Sequence, residues 1–99
     1  VRAAVDRRHV TGNRIVTLSG RVGRELLPPG GVLITLQGYQ RGWGWRTFRT
    51  VRATRNGTWR TRYRFRSRSG RFGFRAIVPR QGTYPFATTI SAPVYVTVG

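Results

Sequence analysis

Arginine occupies every second position between Thr58 and Arg68, and this alternation constrains the fold more than any other feature of the sequence. Successive side chains of a β-strand point to opposite sides of a sheet, whereas a helix would scatter the two sets of residues around its circumference. The segment is therefore predicted to be a strand with one basic face. That face carries Arg60, Arg62, Arg64, Arg66 and Arg68, and the opposite face carries Trp59, Thr61, Tyr63, Phe65 and Ser67.

Alternation of apolar and polar residues recurs along the chain, and no window keeps the apolar spacing of an amphipathic helix. The predicted strands cover residues 2–10, 14–22, 32–39, 45–54, 58–68, 71–79 and 90–98. Seven strands at this spacing predict an all-β fold, an antiparallel immunoglobulin-like sandwich. We expect one domain over residues 1–99, with residues 1–10 as a loosely attached or edge strand. The terminal segments 2–10 and 90–98 are expected to supply exposed edges through which copies could assemble.

The dipeptide Asn56-Gly57 is the strongest hairpin signal in the chain, because both residues tolerate positive φ. It is predicted to join strand 45–54 to the arginine-bearing strand 58–68 as a hairpin. Arginines on that partner strand would then widen the basic stripe. They are Arg46, Arg49 and Arg52.

The charge balance is extreme, because nineteen basic residues, all of them arginine, stand against Asp6 and Glu25, for a formal net charge of +17. Such a field attracts phosphates, sulfates and carboxylates. A guanidinium can bind these groups through two parallel hydrogen bonds. Two interpretations of the arginine row stay open. It is either a binding surface for a polyanion or the solvated outer face of a sandwich whose arginines reflect a GC-rich genome.

The sequence offers little for catalysis or metal binding. Its single histidine, His9, lies three residues from Asp6 on a predicted strand, so the two side chains tend toward opposite faces. A nucleophilic set would have to combine them with one of Ser19, Ser67, Ser69 and Ser91. There is no cysteine, and the positive field repels cations. We therefore predict a protein that is not an enzyme and that has no metal site and no cofactor.

Trp43 is a second candidate contact residue. It lies between Gly42 and Gly44 in a predicted turn that lacks the lysine, the helix and the spacing of a phosphate-binding loop. A tryptophan in such a turn is less easily buried than one in a strand. Three interpretations stay open: a sugar-stacking platform, a contact with a neighbouring module, and an ordinary turn residue.

Several short motifs follow one another in a familiar order. They are Val16-Thr17-Leu18-Ser19-Gly20-Arg21-Val22, Val32 to Gln37, Gly44-Trp45-Arg46-Thr47-Phe48, Asn56-Gly57-Thr58-Trp59 and Phe74-Arg75-Ala76. Over roughly residues 10–98 the chain resembles the immunoglobulin-like, carboxypeptidase-regulatory-like β-sandwich modules of secreted and surface proteins in high-GC bacteria. The resemblance implies a modular, non-catalytic extracellular role as a spacer, an adhesion module or an accessory binding module. It implies no catalytic residues.

The sequence as a whole predicts a structural or adhesion module, self-assembling or part of a tandem array, outside the cell or at its surface. Its expected partners are neighbouring modules or copies of itself, and anionic cell-surface polymers held by the arginine face. A sequence-nonspecific nucleic-acid-binding module is the alternative, and a carbohydrate-binding module is the third. No apolar run is long enough to span a bilayer, so membrane insertion is not expected. The chain begins at Val1 without a signal segment, which suggests a processed product or a segment of a longer protein.

Overall fold

The computed structural model describes residues 1–11, 14–23, 30–65, 69–81 and 87–99. Every regular element within these ranges is a β-strand, which confirms the predicted all-β class. The strands are β1 (Arg2–Val5), β2 (His9–Val10), β3 (Ile15–Arg21), β4 (Leu33–Gln40), β5 (Gly44–Arg52), β6 (Thr58–Arg64), β7 (Gly70–Val78), β8 (Thr89–Ile90) and β9 (Val94–Val98). They correspond to the predicted segments, except that the first and the last segments are each divided into two strands.

The strands form two sheets. The three-stranded sheet has the order β1-β3-β6, and the six-stranded sheet has the order β2-β9-β7-β4-β5, with β8 paired to β7. The described pairs are antiparallel except for β2 and β9, which run parallel. The predicted sandwich is therefore confirmed, with this one parallel pair as a departure from the antiparallel expectation.

The inner faces of both sheets supply one apolar core, as the alternation predicts. Its most completely buried side chains come from alternate strand positions and from residues at the strand ends. They are Val16, Val22, Val32, Ile34, Leu36, Val78, Val96 and Val98. Burying one such side chain contributes about 1.5–3 kcal/mol. The opposite faces of the same strands are left to solvent, and it is these outer faces that carry the candidate site.

The two terminal segments differ from the prediction in their pairing. Residues 2–10 leave the three-stranded sheet after β1 and join the six-stranded sheet as β2. There His9 and Val10 pair with the end of β9, so β9 lies between β2 and β7. The expectation that residues 90–98 form an exposed edge is therefore wrong for Thr97 and Val98, which pair with β2 on one side and with β7 on the other, whereas the pairs described for Val94 to Val96 are with β7. The strand β1 does lie at an edge of the three-stranded sheet.

The Asn56-Gly57 turn forms, but it does not join paired strands. The amide of Gly57 donates to the carbonyl of Thr54 at 2.8 Å, and Gly57 has a φ of 81°. However, β5 pairs with β4 in the six-stranded sheet, while β6 pairs with β3 in the three-stranded sheet. The predicted hairpin is therefore wrong, and the turn carries the chain from one sheet to the other. The Asn-Gly dipeptide indicates the backbone conformation of its own two residues. It does not indicate which strands the flanking segments pair with.

Candidate polyanion-binding face

The row of alternating arginines lies on the outer face of the three-stranded sheet. Arg60, Arg62 and Arg64 of β6 are exposed, whereas Trp59 between the first of them and the turn is buried in the core. Because β6 is an ordinary extended strand, successive arginines of the row are about 7 Å apart. The remaining predicted members, Arg66 and Arg68, lie outside the described residues.

Two further arginines share this outer face. Arg2 of β1 lies directly opposite Arg21 of β3, and Arg21 in turn lies opposite Thr58 of β6. We call these two and Arg60, Arg62 and Arg64 the arginine face. Sequence reasoning missed Arg2 and Arg21, because their place depends on the register between three strands. Arg2 and Arg21 therefore place like charges directly opposite one another, an arrangement that destabilises a sheet.

Within the described part of the chain, no member of the arginine face forms an ion pair or a side-chain hydrogen bond. Their neighbours on β3 are mixed, since the exposed and apolar Ile15 lies opposite Arg64. Ser19 lies opposite Arg60, and Thr17 lies opposite Arg62. The guanidinium donors are thus free to bind an anion from solution.

The arginines of β5 do not widen this face, which corrects the prediction made from the hairpin signal. They belong to the six-stranded sheet, and each contacts another group within the protein. The guanidinium of Arg46 lies over the ring of Trp43 at 5.0 Å. Nη1 of Arg52 donates to the carbonyl of Gly30 at 3.0 Å. These side chains therefore shape the fold around β5 and do not extend the arginine face.

Arg49 has a structural role of its own, because it bridges the edges of the two sheets. Its Nη1 donates to Oγ1 of Thr61 at 2.6 Å and to the carbonyl of Arg62 at 2.7 Å. Both β5 and β6 are terminal strands of their sheets. The contact therefore closes this side of the sandwich.

Replacing Arg49 by Met is expected to lower the free energy of unfolding by about 1 kcal/mol, because two charge-assisted hydrogen bonds at a partly solvated edge are lost. Urea denaturation measures the effect. The matched control is Arg62→Met, which removes the same charge from a side chain without a described partner and should leave the midpoint nearly unchanged. Equal losses in the two variants would contradict the bridging role.

Trp43 lies in the turn between β4 and β5 and is 54% exposed. With Phe48, Tyr63 and Phe72 it lines an apolar cavity of about 240 Å³ that receives residues from both sheets. The exposure agrees with a residue that has not joined the core. Its suggested contact with a carbohydrate or with a neighbouring module stays a prediction.

The residues considered for catalysis lie apart. Oδ1 of Asp6 accepts a hydrogen bond from the amide of Thr17 at 2.8 Å beside the three-stranded sheet, whereas His9 lies opposite Thr97 in the six-stranded sheet. The buried Ser91 uses its Oγ to accept a hydrogen bond from the amide of Ala76 at 2.9 Å.

The described ranges contain no group of three or more His, Cys, Asp or Glu side chains that could hold a metal ion. They also contain no helix of the length and apolar character needed to cross a membrane.

Comparison with known proteins adds no assignment. No protein-family model matches the chain, and no curated protein matches it at a significant level of similarity. The resemblance to immunoglobulin-like modules of secreted bacterial proteins therefore stays a prediction.

Proposed function

We propose that this chain is a non-enzymatic structural or adhesion module of a secreted or cell-surface protein, and that its arginine face binds anionic polymers. The observation that carries the proposal is the exposure of Arg2, Arg21, Arg60, Arg62 and Arg64 on one sheet face, with no described acidic partner. Neighbouring modules or copies of the chain would be its other partners. A polymer with repeated anionic groups at a surface would bind the arginine faces of many copies at once.

The expected mechanism is electrostatic. A phosphate or carboxylate accepts two parallel hydrogen bonds from one guanidinium, and the next anionic group of the polymer meets the next arginine about 7 Å along the strand. The hydroxyl groups of Thr17 and Ser19 lie opposite Arg62 and Arg60 on the same sheet and add neutral donors. Because each contact releases a counterion, affinity should fall steeply as salt is raised.

Inorganic polyphosphate is the probe for this proposal, because it carries repeated charge without rings or bases. Changing Arg60, Arg62 and Arg64 together to Ser should lower its affinity at low salt by at least about tenfold. The slope of log affinity against log salt should fall by roughly three, one for each lost phosphate contact. Isothermal titration calorimetry over a salt series measures both quantities.

A control variant distinguishes an effect of the arginine face from an effect of the net charge of the protein. Arg41, Arg55 and Arg80 are exposed, lie outside the strands and belong to different turns and loops. Changing these three to Ser removes the same charge and should reduce the affinity and the salt slope much less. Equal losses in the two triple variants, or no binding of polyphosphate by the original chain, would overturn the proposal.

A further inference from the structure

An aromatic row crosses the outer face of the six-stranded sheet, on the opposite side of the sandwich from the arginine face. In the strand register, Tyr95 of β9 lies opposite Gly73 of β7, which lies opposite Tyr39 of β4, which lies opposite Trp45 of β5. The rings of Tyr39 and Trp45 are 5.2 Å apart between centroids and are tilted by 45°. We call Tyr39, Trp45 and Tyr95 the aromatic row.

Gly73 allows these rings to converge. A Cβ at this position would lie 3.0 Å from Cε1 of Tyr95 and 3.3 Å from Cη2 of Trp45, both closer than side chains ordinarily approach. Rings from both sides therefore lean over the bare backbone of β7. The result is a nearly continuous aromatic surface on a part of the sheet that is partly open to solvent, with Tyr95 38% exposed.

Two arginines flank Gly73 on the same strand and complete the surface. The guanidinium of Arg71 lies over the ring of Tyr95 at 4.2 Å, and that of Arg75 lies over the ring of Trp45 at 4.2 Å. Since they are four residues apart on one strand, the two side chains start about 14 Å from each other. Each end of the aromatic row thus carries a stacked cation.

The guanidinium of Arg75 is held in place by a chain of hydrogen bonds. Its Nε donates to Oε1 of Gln37 at 2.9 Å, and Nε2 of Gln37 donates to Oγ1 of Thr47 at 3.3 Å. Contact with the ring of Trp45, 4.2 Å from Cζ to the ring centroid, further restricts the position of the group. Both terminal nitrogens remain without a hydrogen-bond partner among the described residues. The group is therefore oriented in advance to bind an oxyanion through two parallel hydrogen bonds.

The stacked cations decide which ligand this surface suits. A sugar ring binds to an exposed aromatic face, but the rings of Trp45 and Tyr95 each already carry a guanidinium on one face. A nucleobase, in contrast, stacks on a guanidinium plane as well as on an aromatic ring. Phosphates of the same strand can then accept hydrogen bonds from the guanidinium edges, as in other single-strand binding surfaces.

We propose that the outer face of the six-stranded sheet binds single-stranded nucleic acid, with bases stacked on the guanidiniums of Arg71 and Arg75, which the rings of Tyr95 and Trp45 support. This surface is distinct from the arginine face, for which we propose binding of anionic groups whether or not the polymer carries bases. No hydrogen-bonding pattern for particular bases is evident, so binding is expected to depend on the presence of bases and not on their order.

The test compares a short oligothymidylate with an abasic oligonucleotide of the same length and charge. The original chain should bind the oligothymidylate between roughly tenfold and a hundredfold more tightly, as expected for one or two stacked bases. Fluorescence anisotropy measures both affinities. Equal affinities would overturn this proposal and leave the polyphosphate result unaffected. Loss of polyphosphate binding with a retained base preference would overturn only the first proposal.

Two double variants test whether the preference for an oligonucleotide with bases arises from this surface. Changing Trp45 and Tyr95 together to Ala should reduce the ratio of the two affinities to about one, with little change in abasic binding. Changing Arg71 and Arg75 to Lys keeps the charge but removes the planar stack, so the ratio should fall while the salt slope stays the same. Leu33→Ala, which truncates another exposed apolar residue on this face, is the control. If the ratio survives both double variants, or if Leu33→Ala lowers it equally, the proposal is wrong.

Discussion

Truncating Phe74 to Ala is expected to lower the free energy of unfolding by about 3–5 kcal/mol. Phe74 is only 4% exposed, and its ring lies within 5.2 to 6.0 Å of the rings of Tyr63, Phe65 and Phe48. These neighbours come from both sheets, so one deletion weakens the contact between the two layers. Phe74 also lines the apolar cavity, which the truncation would enlarge. Urea denaturation and the thermal midpoint measure the loss.

Phe72→Ala is the matched control, because it deletes the same side chain from the same strand. Phe72 is half-buried, and its described ring contact is with Phe65 at 5.1 Å. Because Phe72 is less buried than Phe74, its loss removes less buried apolar surface and should cost about half as much. Equal losses for the two variants would show that the aromatic cluster does not join the sheets through Phe74.

Alternation predicted the strands well because it depends only on neighbours in the chain. The faces of Trp59 and Arg60, and those of Val16 and Thr17, follow directly from a period of two. Their burial in the structure agrees with that assignment. The alternation predicts the two faces of each strand, but it does so for one strand at a time. It assigned Arg60, Arg62 and Arg64 to one surface without any knowledge of the neighbouring strands.

Partners and register could not be predicted in the same way. Arg2 and Arg21 are distant in sequence, and only the pairing of β1 with β3 brings them together. The aromatic row needs the register of four strands, since Tyr95 and Trp45 meet over Gly73. Each of these residues alone resembles an ordinary outward-facing strand position. A glycine at the centre of a strand was the one local signal, because such a glycine often marks a close approach by neighbouring groups.

The same device, a strand glycine covered by a neighbouring aromatic ring, occurs on the inner face of the three-stranded sheet. Gly20 of β3 lies opposite Trp59 of β6 and Ala3 of β1. A Cβ at Gly20 would lie 2.5 Å from Cζ2 of Trp59 and would also overlap the carbonyl oxygen of Arg2. The indole therefore fills the space that any other residue at position 20 would occupy. Trp59 is 5% exposed, which leaves its ring little room to move.

Gly20→Ala is accordingly expected to destabilise the fold by about 3 kcal/mol, near the upper end of the range for overpacking. Gly38→Ala is the control, since its Cβ would meet nothing closer than 3.7 Å and alanine should be neutral or stabilising by about 0.5 kcal/mol. Denaturation midpoints measure both effects. Adding Trp59→Phe to Gly20→Ala should restore only part of the loss, because the smaller ring relieves one overlap while the carbonyl of Arg2 stays in place. Full recovery would show that β1 moves freely, and the arginine face would then lack a fixed position for Arg2.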